Sequence, residues 1–254
     1  MNQRFGDDLP GPDGIDTALL ASMRDRRSCR SYADRPVDDA LIDYLASIAL
    51  AAPSKSDLQQ RDVLIVRDPA LRARIDALMP HFEWLPAAPA MVIFLADHAR
   101  QHRLHAMHGI AYNNDHLDGF FNASVDAAIA LGAFVTAAES VGLGTCPLSV
   151  IRNHVATISE WLGLPDQVFP VAGLAVGWPA DEGRMSMRLP LAETVHVDRF
   201  DDSRSEANIR DYDARRQAHD GAEKPWSLQK AEMYNKVQRA DFGAHIRKIG
   251  FKLD

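Results

Sequence analysis

Within the stretch RDRRSCRSY, Arg26, Arg27 and Arg30 fall inside five positions, with the hydroxyl of Ser28 among them. A guanidinium is a permanently charged planar fork that donates in pairs to phosphate or to ring oxygen and nitrogen, so this knot suits a small anion. A second polar stretch, APSKSDLQQ (52–60), sets Ser54, Lys55, Ser56 and Gln59 in a turn before an apolar run. Its hydroxyls and ammonium suit a phosphate, and the Gln59 amide donates and accepts at once, as reading a heterocycle edge requires. Neither stretch matches the glycine-rich dinucleotide fingerprint or the phosphate loop ending in Lys-Ser/Thr. As residues alone, solvated charges and capping groups account for both just as simply. Chemistry by itself stops at an anionic ligand.

The chain of 254 residues carries 28 Lys and Arg against 35 Asp and Glu, a formal charge of -7. Nucleic-acid binding needs a broad basic surface, so that partner is not expected. Cys29 and Cys146 are the two cysteines, without the spacing of a metal site or the density of a secreted scaffold, which fits a reducing cytoplasm. Cys29 reads as a spacer turned toward the core rather than a redox thiol, and Cys146 as a small buried hydrophobe. His98, His102, His105 and His108 recur at spacings of three and four, enough to share a helical face. No acidic or thiol ligand is specifically spaced with them, so a surface helix or lid is expected there rather than a metal centre.

The elements that must position these residues follow from caps, breakers and periodicity. Residues 1–14 are rich in Gly, Pro and Asp, lack the layout of a signal peptide and are expected to form a flexible arm. The apolar stretches meet polar residues before reaching the length of a membrane span. A short helix is predicted near 16–24. Another follows Asp38 and Asp39, with Leu41, Ile42, Leu45, Ile48 and Ala49 at helical spacing. A strand over 62–66 leads to a helix capped by Asp68 and opened by Pro69, and a second strand covers 90–97. The Ala-rich run 122–144 reads as a central helix packed on all sides and closed by Gly142 or Gly144. A capped helix ending near Gly163 and a strand in VFPVAGLAVGWP come next. Residues 179–254 show little apolar periodicity outside MYNKVQ and HIRKIGF, which suggests a wrapping tail. Helices separated by a few strands, without strict alternation, favour a mixed α+β fold.

The order Arg26-Arg27-Ser28-x-Arg30, Ser54-x-Ser56-x-x-Gln59, FLADHAR, VDAAIALGAFVTAAESVGLG, IRNHVATISEWLGLPDQVFPVAGLAVGWP and finally MRLP resembles the nitroreductase family, in its branch of larger NADPH:flavin oxidoreductases. The resemblance implies an FMN-binding core over 15–190, with a mostly antiparallel sheet flanked by helices and a C-terminal extension, 191–254, belonging to the same domain. It implies a homodimer with each flavin at the subunit interface, no membrane partner, and ping-pong reduction by NAD(P)H, NADPH favoured, of an aromatic electron acceptor such as a nitroaromatic, quinone or flavin. By the same resemblance Arg26, Arg27, Ser28, Arg30, Ser54, Lys55, Ser56, Gln59, Leu148, Ser149 and Arg188 bind FMN. No side chain is required as a nucleophile; Arg30 is a candidate electrostatic support for the reduced ring.

Departures from the family pattern bear on this reading. Ser186 and Met187 stand where the family has a late lysine and proline, and Lys55 is the candidate substitute for the missing charge. The usual Ile-Gly-Gly turn is Leu148-Ser149-Val150 after Cys146-Pro147, and Gly132 replaces a frequent glutamine. Phe82, Trp84, Tyr112, Phe120 and Phe121 are candidates for the wall above the flavin, with core packing the plainer reading. Arg215 and Arg216 are candidates for the NADPH 2'-phosphate, against an ordinary exposed basic pair. The altered turn leaves open a dedicated FMN-dependent reaction, such as reductive dehalogenation or ring oxidation, or a flavin-binding redox sensor with little turnover.

Overall fold

The computed structural model describes residues 2–6, 15 and 17–254; most of the expected N-terminal arm, residues 1–14, lies outside the described residues. Local chemistry sets the element boundaries. After α1 (Asn2–Phe5), the Thr17 hydroxyl caps α2 (Ala18–Asp25) by accepting from Leu20 N–H, and Asp38 caps α3 (Asp39–Leu50) by accepting from Ala40 N–H. β1 (Arg61–Val66) is followed by α4 (Pro69–Ala77), which has the Asp68 cap and Pro69 at its start. β2 (Ala90–Asp97) runs into α5 (Ala99–His108), ended by Gly109 at a left-handed φ of 63°. Then come α6 (Leu117–Ser140), β3 (Gly144–Leu148), α7 (Val155–Trp161), β4 (Val168–Gly177), α8 (Leu191–Thr194), α9 (Ser205–Asp220), α10 (Trp226–Tyr234) and α11 (Phe242–Lys248).

Two compact units emerge, one of residues 27–183 and 239–254, the other of residues 1–26 and 184–238. The first holds the four-stranded sheet, in the order β1-β2-β4-β3 with every neighbouring pair antiparallel. Alternate residues of the central strands serve opposite faces, as a pleated strand buried on both sides must. Val92, Phe94, Leu174 and Val176 meet Ile42, Leu45 and Ala49 of α3 and Phe134 of α6. Met91, Ile93 and Ala175 meet Ile75, Met79, Leu85, Ile151 and Ile158 on the other side. The result is the expected mixed α+β fold, a mostly antiparallel sheet flanked by helices, with helices after residue 190 as the C-terminal extension.

The second unit is held largely by polar contacts. Glu193 accepts from Ser205 Oγ at 2.6 Å and Asn208 Nδ2 at 3.1 Å, Asp213 accepts from Ser227 N–H at 2.9 Å, and Tyr212 meets Trp226 edge-on at 5.2 Å.

The central helix departs from expectation. α6 begins at Leu117 rather than near 122 and ends at Ser140, and it is not packed on all sides. Ala123, Ala127, Ala130, Phe134 and Ala138 are buried, but Leu117, Phe121, Val125 and Ile129, four residues apart, remain exposed. Among the described residues it is the one helix long and apolar enough to cross a bilayer by composition; its buried Asp126 hydrogen-bonds to protein N–H groups, as in a core helix.

Candidate functional site

The arginine stretch is an extended segment laid along β3. Ser28 bridges Thr145 in parallel, Cys29 N–H donates to Thr145 O at 2.8 Å, and Tyr32 bridges Pro179. Gly144 is required by this approach, because a Cβ there would stand 2.6 Å from Cys29 Cβ and Sγ. Burial raises the Cys29 thiol's pKa above its ordinary value, which fits a spacer rather than a thiolate. Arg27 donates from Nη1 to Glu182 O at 2.9 Å, while its buried Nε makes no hydrogen bond; Arg30 is exposed. Arg26 falls in the other unit, as does Arg188, which is exposed and donates to the carbonyls of Ser186 and Met187 at 3.3 and 3.1 Å.

Residues 54–60 form a rigid turn at the entry to β1. Ser56, Asp57 and Gln59 all have left-handed φ, at 48°, 56° and 50°, a conformation non-glycine residues adopt only when surroundings impose it. The constraint comes from Asp126 on α6, a residue that sequence reasoning did not single out. Its Oδ1 accepts Lys55 N–H at 3.0 Å and its Oδ2 accepts Gln60 N–H at 3.1 Å, so one buried carboxylate clamps both ends of the turn. Arg61, also buried, stands 3.8 Å from Asp126 Oδ2 and donates from Nη2 to Leu50 O at 2.9 Å and Ala52 O at 2.5 Å. Inside the turn Gln59 N–H reaches Ser54 Oγ at 3.3 Å, the Gln59 amide donates to Asp57 at 3.0 Å, and Arg100 donates to Gln59 O. Lys55 Nζ faces Asp118 at 3.5 Å in a half-exposed pair, which contributes little and is easily given up.

Leu148 and Ser149 close β3. The Leu148 side chain is buried in the core against Gly173, with which it pairs in the β3–β4 ladder, whereas Ser149 is exposed with Arg239 Nη2 at 3.5 Å from its Oγ. Of the aromatic candidates, Phe82 and Trp84 pack together at 6.0 Å, Phe120 stacks on Phe169 at 5.4 Å, and Tyr112 lies among histidines; Phe121 is exposed on α6. Arg216 is engaged by Asp220 at 3.0 Å and Tyr212 Oη at 2.9 Å, and Arg215 lies 5.8 Å from the Tyr212 ring centroid. That environment gives neither one the openness of a free basic pair.

Within the sheet-bearing unit the two polar segments occupy diagonally opposed corners. Ser28 lies beyond β3 at one edge, in register with Thr145, Val176 and Ala90, next to the pair Met91–Val66; the turn opens β1 at the other edge, beside Arg61. With strands about 4.8 Å apart and a rise of about 3.4 Å per residue, Ser28 and Arg61 are separated by roughly 25 Å. A single ligand of the size these groups suit does not bridge them within one chain.

The histidines gather differently from the sequence expectation. His98 is buried and His102 half-buried, and Asp115, from the loop before α6, brings its Oδ1 to 3.5 Å from His98 Nε2 and 3.3 Å from His102 Nε2. Burial, then His102, lowers the His98 pKa; burial pushes the Asp115 carboxyl up, but the hydrogen bond from Lys252 and the charges around it hold it below the usual range.

Comparison with known proteins extends this geometry. The profile of the nitroreductase family matches residues 23–178, and that of the nitroreductase family's C-terminal domain matches residues 186–254. The chain is 32% identical over 245 residues to "FMN reductase [NAD(P)H]" of Bacillus subtilis, covering 93% of this chain and 98% of the relative. It is 33% identical over 176 residues to "Oxygen-insensitive NADPH nitroreductase" of Salmonella typhimurium, covering 68% and 71%. The solved structure of Bacillus megaterium NfrA2 superposes with a TM-score of 0.88 at 31% identity, covering 94% of this chain and 100% of that one.

Proposed function

The chain belongs to the nitroreductase family, and from that premise we infer that it is an FMN-dependent, NAD(P)H-oxidising reductase, working as a homodimer on aromatic electron acceptors, with NADPH the favoured donor. Its class, a flavin oxidoreductase using NAD(P)H, follows from the family and from relatives matched over nearly their whole length. The observation that carries the dimer is the diagonal placement of the two polar segments. Each flavin takes the Arg27–Arg30 segment and the end of β3 from one protomer and the clamped turn, Ser54 to Gln59, from the other. The exposed stripe of α6 supplies an apolar surface for the second copy, and Gly132, with nothing within 4 Å of a Cβ built on it, leaves room along the same helix.

The donor set fits FMN. The unpaired buried Nε of Arg27, with Ser28 beside it, would hold the phosphate and ribityl chain. Arg30 would place positive charge by the pyrimidine end of the ring, where negative charge accumulates on reduction. Ser54, Ser56 and Gln59, fixed by left-handed backbone, would read ring and ribityl oxygens without reorganising. Lys55, released from Asp118, would supply a further positive charge to the phosphate. FMN, when bound, supplies the chemistry by accepting hydride from NAD(P)H and returning electrons to the acceptor.

Steady-state rates against matched nitroaromatic, quinone, free flavin and halogenated aromatic acceptors test the substrate class. Parallel-line kinetics with NADPH and turnover of the nitro and quinone compounds are expected. Efficient consumption of a halogenated substrate alone, with the others inert, would contradict this reading and favour a dedicated reaction.

A further inference from the structure

Buried nitrogen lone pairs facing a carboxylate call for a cation. His98 Nδ1 lies 2.8 Å from Gln60 Oε1; an amide oxygen only accepts, so Nδ1 donates and carries the proton, and in the neutral ring Nε2 carries the lone pair. That Nε2 is buried and makes no hydrogen bond, and the same holds for His102 Nε2. Both point to the neighbourhood of Asp115 Oδ1, and the three atoms lie within 4.8 Å of one another. Lys252 Nζ takes the other carboxylate oxygen, Oδ2, at 2.7 Å, leaving Oδ1 to the imidazoles.

We propose that His98, His102 and Asp115 bind one divalent transition ion of the zinc class, two nitrogens and one oxygen from the protein leaving a further position for water. Zinc holds imidazole nitrogen and carboxylate oxygen at roughly 2.0–2.2 Å in a tetrahedron, so neighbouring ligand atoms stand about 3.4 Å apart. The observed Oδ1 to Nε2 distances are 3.5 and 3.3 Å. The surroundings orient the ligands as metal sites require. Gln60 fixes the His98 tautomer, Phe251 stacks on the His98 ring at 5.6 Å and 27°, and Tyr112 meets His102 edge-on at 4.9 Å. Gly119 is shaped to the same ring, because a Cβ there would fall 2.4 Å from His98 Cε1. The ion ties α5 to the loop before α6. Through Gln60, whose N–H is held by Asp126, it also braces the end of the 54–60 turn.

The test uses the full chain as purified, stripped with a chelator and titrated calorimetrically with zinc sulfate, with zinc counted by mass spectrometry after desalting. One zinc per chain is expected, unchanged by excess magnesium, which prefers oxygen ligands. His102→Ala and Asp115→Asn should each weaken binding at least tenfold, while His108→Ala, on the exposed end of the same helix, leaves it unchanged. If either site variant fails to fold, zinc-edge X-ray absorption of the wild type decides, with two imidazoles in the first shell expected. No zinc retained by the wild type, undiminished binding in both site variants, or a first shell without two imidazoles overturns the proposal.

Discussion

Asp126→Ala is expected to lower the unfolding free energy by about 3–5 kcal/mol, because it removes one partner of a buried ion pair and leaves Arg61 uncompensated. The side chains of Arg61 and Asp126 are 4% and 1% exposed, so water does not repair the loss. The same change frees the Lys55 and Gln60 N–H groups, and three left-handed residues lose what holds them. Asp126→Asn keeps the shape and one acceptor, so it should cost less, about 1–3 kcal/mol. Urea unfolding followed by circular dichroism measures both. Losses below 1 kcal/mol in both variants would show that the carboxylate does not anchor the turn. Against a typical domain stability of about 5–15 kcal/mol, the alanine variant is near the limit of folding at body temperature.

Phe121→Glu combined with Ile129→Glu is expected to break the proposed dimer. Phe121 and Ile129 are 61% and 38% exposed in the single chain, and a fully buried side chain of this kind contributes about 1.5–3 kcal/mol. The part still open in each protomer is then worth roughly 1.5–3 kcal/mol, and two-fold symmetry counts it twice. A loss of about 3–6 kcal/mol corresponds to about two to four decades in the dimer dissociation constant. Sedimentation across a dilution series reads it directly, and flavin should leave with the dimer. A variant that stays dimeric with flavin bound would move the interface elsewhere.

What the sequence disclosed was mostly local. The acidic helix start at Asp38 and Asp39, the Asp68 cap, Pro69 at a first turn, and the continuous apolar strand in AMVIFLAD act within a few residues and survive in the structure. The start of α6 was hidden because His116, Asp118 and Gly119 look like a turn. In the fold the glycine is needed by the His98 ring, and His116 is the cap. α9 escaped notice because its buried positions include Asn208 and Asp213 rather than an apolar stripe. Asp126 looked like an ordinary helix charge, and its role exists only once the turn, 66 to 71 residues earlier, lies against it. Asp115 is similarly distant in kind, since a loop residue has no periodic relation to histidines on a helix. The arginine stretch and the turn were legible as chemistry, but their placement at opposite corners of one sheet, on which the proposal of a shared site rests, is a property of topology.

The most direct measurement is anaerobic mixing of the purified protein with NADPH, after its released cofactor has been identified by chromatography. Bound FMN, with its visible absorbance lost far faster than that of free FMN at the same concentration and restored by a nitroaromatic or quinone, is the result expected. A colourless protein that takes up no FMN, or one whose bound flavin is reduced no faster than free FMN, would contradict the account.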